Sequence, residues 1–159
     1  MSNRETAIFG AGCFWGVEEA FRTLPGVEAT AVGYLGGKLV KPTYRDVCSD
    51  STGHAEVVKV DFDPAVISFG KLLDVFWASH NPTQMNYQGP DHGSQYRSAI
   101  FFTTPEQKIL AEASKAALES AKKFSRPIVT EVTATSTFYL AEDYHQQYLA
   151  KRGATSCHI

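Results

Sequence analysis

Cys13 stands in Gly10-Ala11-Gly12-Cys13-Phe14-Trp15-Gly16, between a short apolar run, Thr6-Ala7-Ile8-Phe9, and a segment whose apolar residues Phe14, Val17, Phe21 and Leu24 recur at helical spacing. This places the thiol at a helix N-terminus, where unpaired N–H groups and the helix dipole favour a thiolate by about 0.3 to 1 kcal/mol. Glycines on both sides let the backbone turn tightly and leave the sulfur approachable. The thiolate is the nucleophilic form of cysteine, and cysteines in such settings titrate well below about 8.5. The pattern therefore points to a reactive thiol. Packing alone is the commoner fate of any one cysteine, but two large aromatics directly behind this one, in a glycine frame, favour chemistry.

A glycine-rich turn that enters a helix can also cradle a dinucleotide. Here Trp15 occupies the position where G-x-G-x-x-G needs its last glycine, and no acidic residue near position 32 is available for a ribose. Cys48 and Cys157, the other two of three cysteines, make no C-x-x-C pair and no zinc spacing. An odd, sparse set fits thiol chemistry better than a disulfide framework. A zinc site from Cys48, His54, Cys157 and His158 has no spacing to support it.

The elements that must carry Cys13 follow from periodicity and turn signals. Pro25-Gly26 ends the first helix, and Val27 to Tyr34 reads as a strand. Lys38 to Gly53 is a long polar loop, of the kind that is often functional. His54 to Phe62 is the next strand, and Ser68 caps a helix with an apolar face of Phe69, Leu72, Leu73, Phe76 and Trp77. A second polar section, Thr83 to Tyr96, leads to a strand over Arg97 to Thr103. Thr104-Pro105-Glu106-Gln107 starts a helix expected to reach about Phe124, followed by a strand at Thr130 to Ala134 and a last helix at Ala141 to Arg152. The β-α-β-β-α-β order with additional elements favours an α+β fold: a ferredoxin-like split βαβ core, an α/β sandwich on a mixed sheet, with extra helices and a C-terminal tail.

The 159 residues and 43% apolar content suit a single catalytic domain over 1–159, whose tail is residues 153–159. A net charge of -2 gives no electrostatic footprint for nucleic acid or an acidic membrane surface. With no apolar signal region and no run long enough to span a bilayer, the expectation is a cytoplasmic protein. The even charge and the lack of an obvious extra apolar face suggest a monomer.

Several motifs together resemble the A-type peptide methionine sulfoxide reductases. They are Gly12-Cys13-Phe14-Trp15-Gly16, Gly33-Tyr34-Leu35-Gly36-Gly37, Tyr44-Arg45-Asp46-Val47-Cys48-Ser49, Thr52-Gly53-His54-Ala55-Glu56, Gln88-Gly89 with Asp91, Gln95-Tyr96-Arg97-Ser98, and Ala141-Glu142-Asp143-Tyr144-His145-Gln146-Gln147-Tyr148-Leu149. Tyr87 and Pro90 depart from the arginine and asparagine usual beside that aspartate.

The resemblance implies reduction of the S epimer of methionine sulfoxide, free or in proteins, as repair of oxidative damage. Cys13 would attack the sulfoxide sulfur, and Glu56 would protonate the departing oxygen. Tyr44 and Tyr96 would hold that oxygen while Asp91 orders the site, and Phe14 and Trp15 would form the pocket for the methyl group. A sulfoxide oxygen leaves poorly without a proton, so a thiolate needs an acid opposite it. At an unperturbed pKa near 4.3, only about 0.2% of Glu56 would be protonated at pH 7, so burial or the charge of Asp91 is expected to raise it. The sulfenic acid left on Cys13 would be resolved by Cys157, with Cys48 as the rival resolver, expected to be a bystander. Thioredoxin would reduce the disulfide, and no metal, flavin or nicotinamide cofactor is needed.

Two other classes compete. In a cysteine hydrolase or acyltransferase, Cys13 would pair with His54 or His145. In a non-catalytic module, the tyrosines would line a peptide groove. His54 is expected to fix the loop ahead of Glu56, and His145 to be a helix-surface or packing residue.

Overall fold

The computed structural model describes residues 4–151. In chain order the elements are β1 (Glu5–Ala11), α1 (Phe14–Arg22), β2 (Val27–Leu35), α2 (Tyr44–Cys48), β3 (Ala55–Phe62), α3 (Phe69–Ala78), β4 (Tyr87–Gln88), β5 (Asp91–His92), β6 (Ser98–Phe102), α4 (Pro105–Ser120), β7 (Glu131–Ala134), β8 (Tyr139–Leu140) and α5 (Tyr148–Lys151). The main sheet runs β7-β6-β1-β3-β2-β8. Its pairings are antiparallel except β6 with β7, so the sheet is mixed. The four central strands, with α1 after β1 and α3 after β3, form the ferredoxin-like core expected from the element order.

Helices α1 and α3 lie against one face of this sheet through Phe9, Phe21, Phe69 and Phe76, all buried. Phe9 stacks on Phe21 at 5.0 Å and on Phe76 at 5.2 Å. Burying each such ring contributes about 1.5 to 3 kcal/mol. The opposite face carries a smaller cluster of Ile8, Leu35, Ala55, Val57, Ala99 and Phe101, with Phe138 packed against it. With both faces covered, β3 is buried at nearly every position instead of alternating, and Glu56 is enclosed with it at 1% exposure.

The structure departs from the sequence reading in the connections. The loop over 38–53 contains α2, nucleated by a capping box in which Thr43 Oγ1 accepts from the Asp46 N–H and Asp46 accepts from the Thr43 N–H. Helix α4 stops at Ser120 instead of near Phe124, because Lys122 takes a left-handed φ of 51°. Strand β8 was not expected; it forms by pairing Tyr139 and Leu140 with Tyr34 and Gly33.

The continuous last helix is also corrected. A 3-10 turn over Asp143–His145 is separated from α5 by Gln147, at φ 51°. Side-chain bonds to the body of the protein win over helical propensity here. Gln146 accepts from the Val32 N–H at 2.8 Å and donates to the Val32 carbonyl at 2.9 Å, and the Gln147 N–H donates to Glu18 at 2.7 Å. No helix among the described residues is long and apolar enough to cross a membrane. The 153–159 tail, with Cys157, lies outside the described residues.

Candidate active site

Cys13 occupies the N-cap position of α1 and is half-buried. Gly12 before it takes φ 98°, and a Cβ there would stand 3.0 Å from Cγ of Gln88, so both the turn and the close approach require glycine. Gln88 is itself clamped: it donates to the Asn81 carbonyl at 2.6 Å and accepts from the Asn81 N–H at 2.9 Å. The β4–β5 hairpin, turning at Gly89-Pro90, thus backs the thiol loop and carries Asp91. Tyr87 stacks on His92 at 5.2 Å, which gives the departing residue Tyr87 a structural place in that hairpin.

Glu56 comes to the same helix start from β3. Its Oε1 accepts from the Phe14 N–H at 3.3 Å. Enclosure opposes ionisation of a carboxyl, while a helix N-terminus favours the anion.

The two expected tyrosines are brought beside it from separate segments. Burial first and the Glu56 carboxylate second push the Tyr44 phenol well above its ordinary value. Tyr96 is pushed up in the same order, with further contributions from Cys48, Asp91 and Cys13. Both phenols therefore remain protonated and able to donate. Tyr96 ends a 3-10 turn, Ser94–Tyr96, that is tied to the loop over 38–53 through the Ser94 N–H and hydroxyl, both donating to Asp50. Arg97 secures the same junction by donating to the Gly53 carbonyl at 3.0 Å and the Ser94 carbonyl at 2.9 Å.

Cys48 also belongs to this neighbourhood. It is an exposed residue at the end of α2, in the neighbourhood of the Tyr44 phenol. Partial desolvation raises its thiol, against an opposing contribution from the Tyr44 phenol.

An aromatic cluster closes the other side. Phe14 is 1% exposed and packs on Tyr34 at 5.8 Å and His145 at 5.2 Å. Trp15 is half-buried, stacks on Tyr148 at 3.8 Å, and donates from Nε1 to His145 Nδ1 at 2.9 Å. Glu142 joins two parts of the site by accepting from the Tyr34 hydroxyl and from the Tyr44 N–H, each at 2.9 Å. The motif over Ala141–Leu149 carries the family likeness, but it points to no residue for sulfoxide reduction; His145 enters only as a base in the competing hydrolase reading. His145 is buried at 1% exposure, not on a helix surface, and the signal available was its spacing from Glu142 and Gln146 within that motif.

His54 offers no base for acyl transfer. Its Nδ1 accepts from the Gly37 N–H at 3.0 Å and its Nε2 faces the Leu39 carbonyl at 2.7 Å, which fixes the loop ahead of Glu56. The same bonds leave His54 no nitrogen for zinc. Among the described residues, no three His, Cys, Asp or Glu side chains cluster as metal ligands.

A family model described as peptide methionine sulfoxide reductase matches residues 5–159. The peptide methionine sulfoxide reductase MsrA of Acidobacterium capsulatum is 60% identical over 153 residues, covering 96% of this chain and 98% of that protein. Among solved structures, methionine sulfoxide reductase A of Corynebacterium diphtheriae superimposes with a TM-score of 0.86 at 38% identity, covering 99% of this chain and 79% of that one. Mxr1 of Saccharomyces cerevisiae in reduced form gives 0.86 at 34% identity, over 94% of this chain and 86% of that one. The match runs through every segment that builds the site, and the chain belongs to the peptide methionine sulfoxide reductase family.

Proposed function

We propose that this protein reduces the S epimer of methionine sulfoxide, in proteins or free, with Cys13 as nucleophile and Glu56 as acid. The observation that carries the reading is that Glu56, whose Oε1 accepts from the Phe14 N–H at 3.3 Å, is held at the start of α1 next to Cys13, with the Tyr44 and Tyr96 phenols facing its charge. A hydroxyl donor, an acid and a thiol around one small space are what a sulfoxide oxygen needs in order to leave.

The Cys13 thiolate attacks the sulfoxide sulfur. Glu56 gives a proton to the oxygen, Tyr44 and Tyr96 donate hydrogen bonds to it, and Asp91 orders their surroundings. The protonated oxygen passes from the substrate sulfur to Sγ of Cys13 as the bond between the two sulfurs breaks, leaving a sulfenic acid on Cys13 and methionine as product. Phe14 and Trp15 receive the methyl group. An apolar slot rewards a group of that size by only about 1 to 3 kcal/mol, so epimer choice rests mainly on where the polar groups hold the oxygen.

Attack by the Cys157 thiol on the sulfenic acid then forms the Cys13–Cys157 disulfide and releases water. Cys157 lies six positions beyond Lys151, where α5 ends, a span of about 20 Å when extended. Helix α5, the last described element before Cys157, starts at Tyr148, which stacks on Trp15. Thioredoxin restores the dithiol by exchange and is itself oxidised. The yeast relative Mxr1 forms a complex with Trx2. The reading also takes the chain as one catalytic domain that acts as a monomer in the cytoplasm.

A single-turnover reaction tests it: reduced protein is mixed with a peptide carrying the S epimer, without added reductant, and followed by mass spectrometry. The expected result is about one methionine per chain and a Cys13–Cys157 disulfide. Absence of methionine, with all thiols still reduced, overturns the reading.

A further inference from the structure

His145 is a costly way to fill space. Its ring is buried against Phe14 at 5.2 Å, Tyr44 at 4.5 Å and Tyr144 at 4.1 Å, an aromatic setting that phenylalanine would satisfy. Its Nε2 is buried and has no hydrogen-bond partner among the described residues, and an unsatisfied buried polar atom lowers stability. The one polar atom it uses is Nδ1, and the group it engages is the Trp15 indole N–H at 2.9 Å.

That bond fixes the state of the imidazole. An indole nitrogen is a donor only, so Nδ1 must accept, and the ring is neutral with its proton on Nε2. The ring is itself held from both sides. Glu142 ahead of it is tied to Tyr34 and Tyr44, and behind it Gln146 is tied to Val32 and Gln147 to Glu18. Tyr148 covers one face of the indole at an interplanar angle of 11°. With one face stacked and its N–H anchored, the rotation of the Trp15 side chain is set, and the open face points where the segment 142–148 dictates.

We infer that His145 is a positioning residue, which fixes the indole of Trp15 and so the shape of the methyl slot by accepting the Trp15 Nε1–H on Nδ1. The inference rests on the proposed reductase reading, in which Trp15 receives the methyl group. His145 does not touch the reacting atoms. It acts on substrate binding through Trp15.

The test compares H145F, which keeps an aromatic ring without the acceptor, with H145N, whose Oδ1 can replace Nδ1 as acceptor. Each is assayed with the sulfoxide peptide, and the indole N–H resonances of the two tryptophans are recorded by NMR. The Trp77 indole N–H, which donates to Ser114 Oγ at 2.8 Å, serves as the internal reference. In H145F the Trp15 indole resonance is expected to lose its hydrogen-bonded shift, and KM to rise about tenfold, the scale of one misfitted small apolar group, with a smaller fall in kcat. H145N is expected to recover most of both.

An unchanged KM and indole shift in H145F overturns the inference. So does an H145N variant no better than H145F, since packing alone would then account for the residue. If H145F does not fold, H145L, which also lacks the acceptor, is compared in the wild-type and W15F backgrounds: it should raise KM in the first and add no further change in the second, and an undiminished effect in W15F also overturns the inference. Wild-type protein that makes no methionine would sink the reductase reading itself, whereas wild-type turnover with an indifferent His145 sinks only the positioning role.

Discussion

The backbone N–H of Tyr44 donates to Glu142 across 98 positions of sequence, at 2.9 Å. The same carboxylate accepts from the Tyr34 hydroxyl, so the start of α2, the edge of the sheet and the segment that carries His145 meet on one side chain. Partial burial of Glu142 opposes its charge, but the bonds from Tyr44 and Tyr34 outweigh that and hold the carboxyl below its ordinary value.

Replacing Glu142 by glutamine turns one acceptor oxygen into a donor facing another donor. The expected result is a loss of about 1 to 3 kcal/mol of stability and slower turnover, because Tyr44 is no longer held at its place. Thermal unfolding and steady-state kinetics of E142Q check both. Unchanged kinetics would mean that Tyr44 is positioned by the Thr43 cap alone.

Replacing Glu56 by glutamine keeps an acceptor for the Phe14 N–H but removes the acid. The single-turnover rate is expected to fall by about 10² to 10⁴, with substrate binding little changed. Stopped-flow reading of Trp15 fluorescence separates binding from reduction. A wild-type rate in E56Q would exclude Glu56 as the obligatory acid.

The two remaining cysteines are expected to part company. C157S should complete the first reduction and then stop, with a sulfenic acid on Cys13 that a dimedone-type reagent captures. C48S should turn over repeatedly, although losing the sulfur beside the Tyr44 hydroxyl is expected to alter rates by a small factor. Mapping the disulfide of each variant by mass spectrometry checks this. A Cys13–Cys48 bond in the wild-type protein would reverse the assignment.

His80 gives stability a pH dependence unrelated to catalysis. Its Nδ1 donates to the Phe76 carbonyl at 2.8 Å, and its Nε2 takes the Ser98 hydroxyl at 2.7 Å, in a chain that continues to Thr130. Burial pushes the imidazole down to about 4. The unfolded chain binds a proton near 6.5, so stability is full above that value and is lost as pH falls from about 6.5 towards 4, by at most about 3 kcal/mol. Urea unfolding at stepped pH should show this slope in wild type and a flatter one in H80N.

Much of this protein is legible in its sequence because the signals are local. The helical spacing of Phe14, Val17 and Phe21 behind a glycine turn put Cys13 at the start of α1, and Ser68 and Thr104 capped α3 and α4 where expected. The order of elements led to the ferredoxin-like sheet, since sequential β-α-β units leave few ways to cover both faces. The motif likeness supplied the candidate residues Cys13, Glu56, Tyr44, Tyr96 and Asp91.

What periodicity alone could not decide was which side chains from distant segments share one space. Local pattern makes Glu56 an outward strand carboxylate, and only the sandwich buries it beside Phe14 and the phenols. A helical reading of Ala141 to Arg152 was reasonable residue by residue, yet Gln146 on β2, Gln147 on Glu18 and His145 on Trp15 break it. Those bonds connect residues more than a hundred positions apart. Helix propensity is worth only tenths of a kcal/mol per residue, less than a hydrogen bond made inside the protein, so tertiary structure fixed the segment that shapes the pocket.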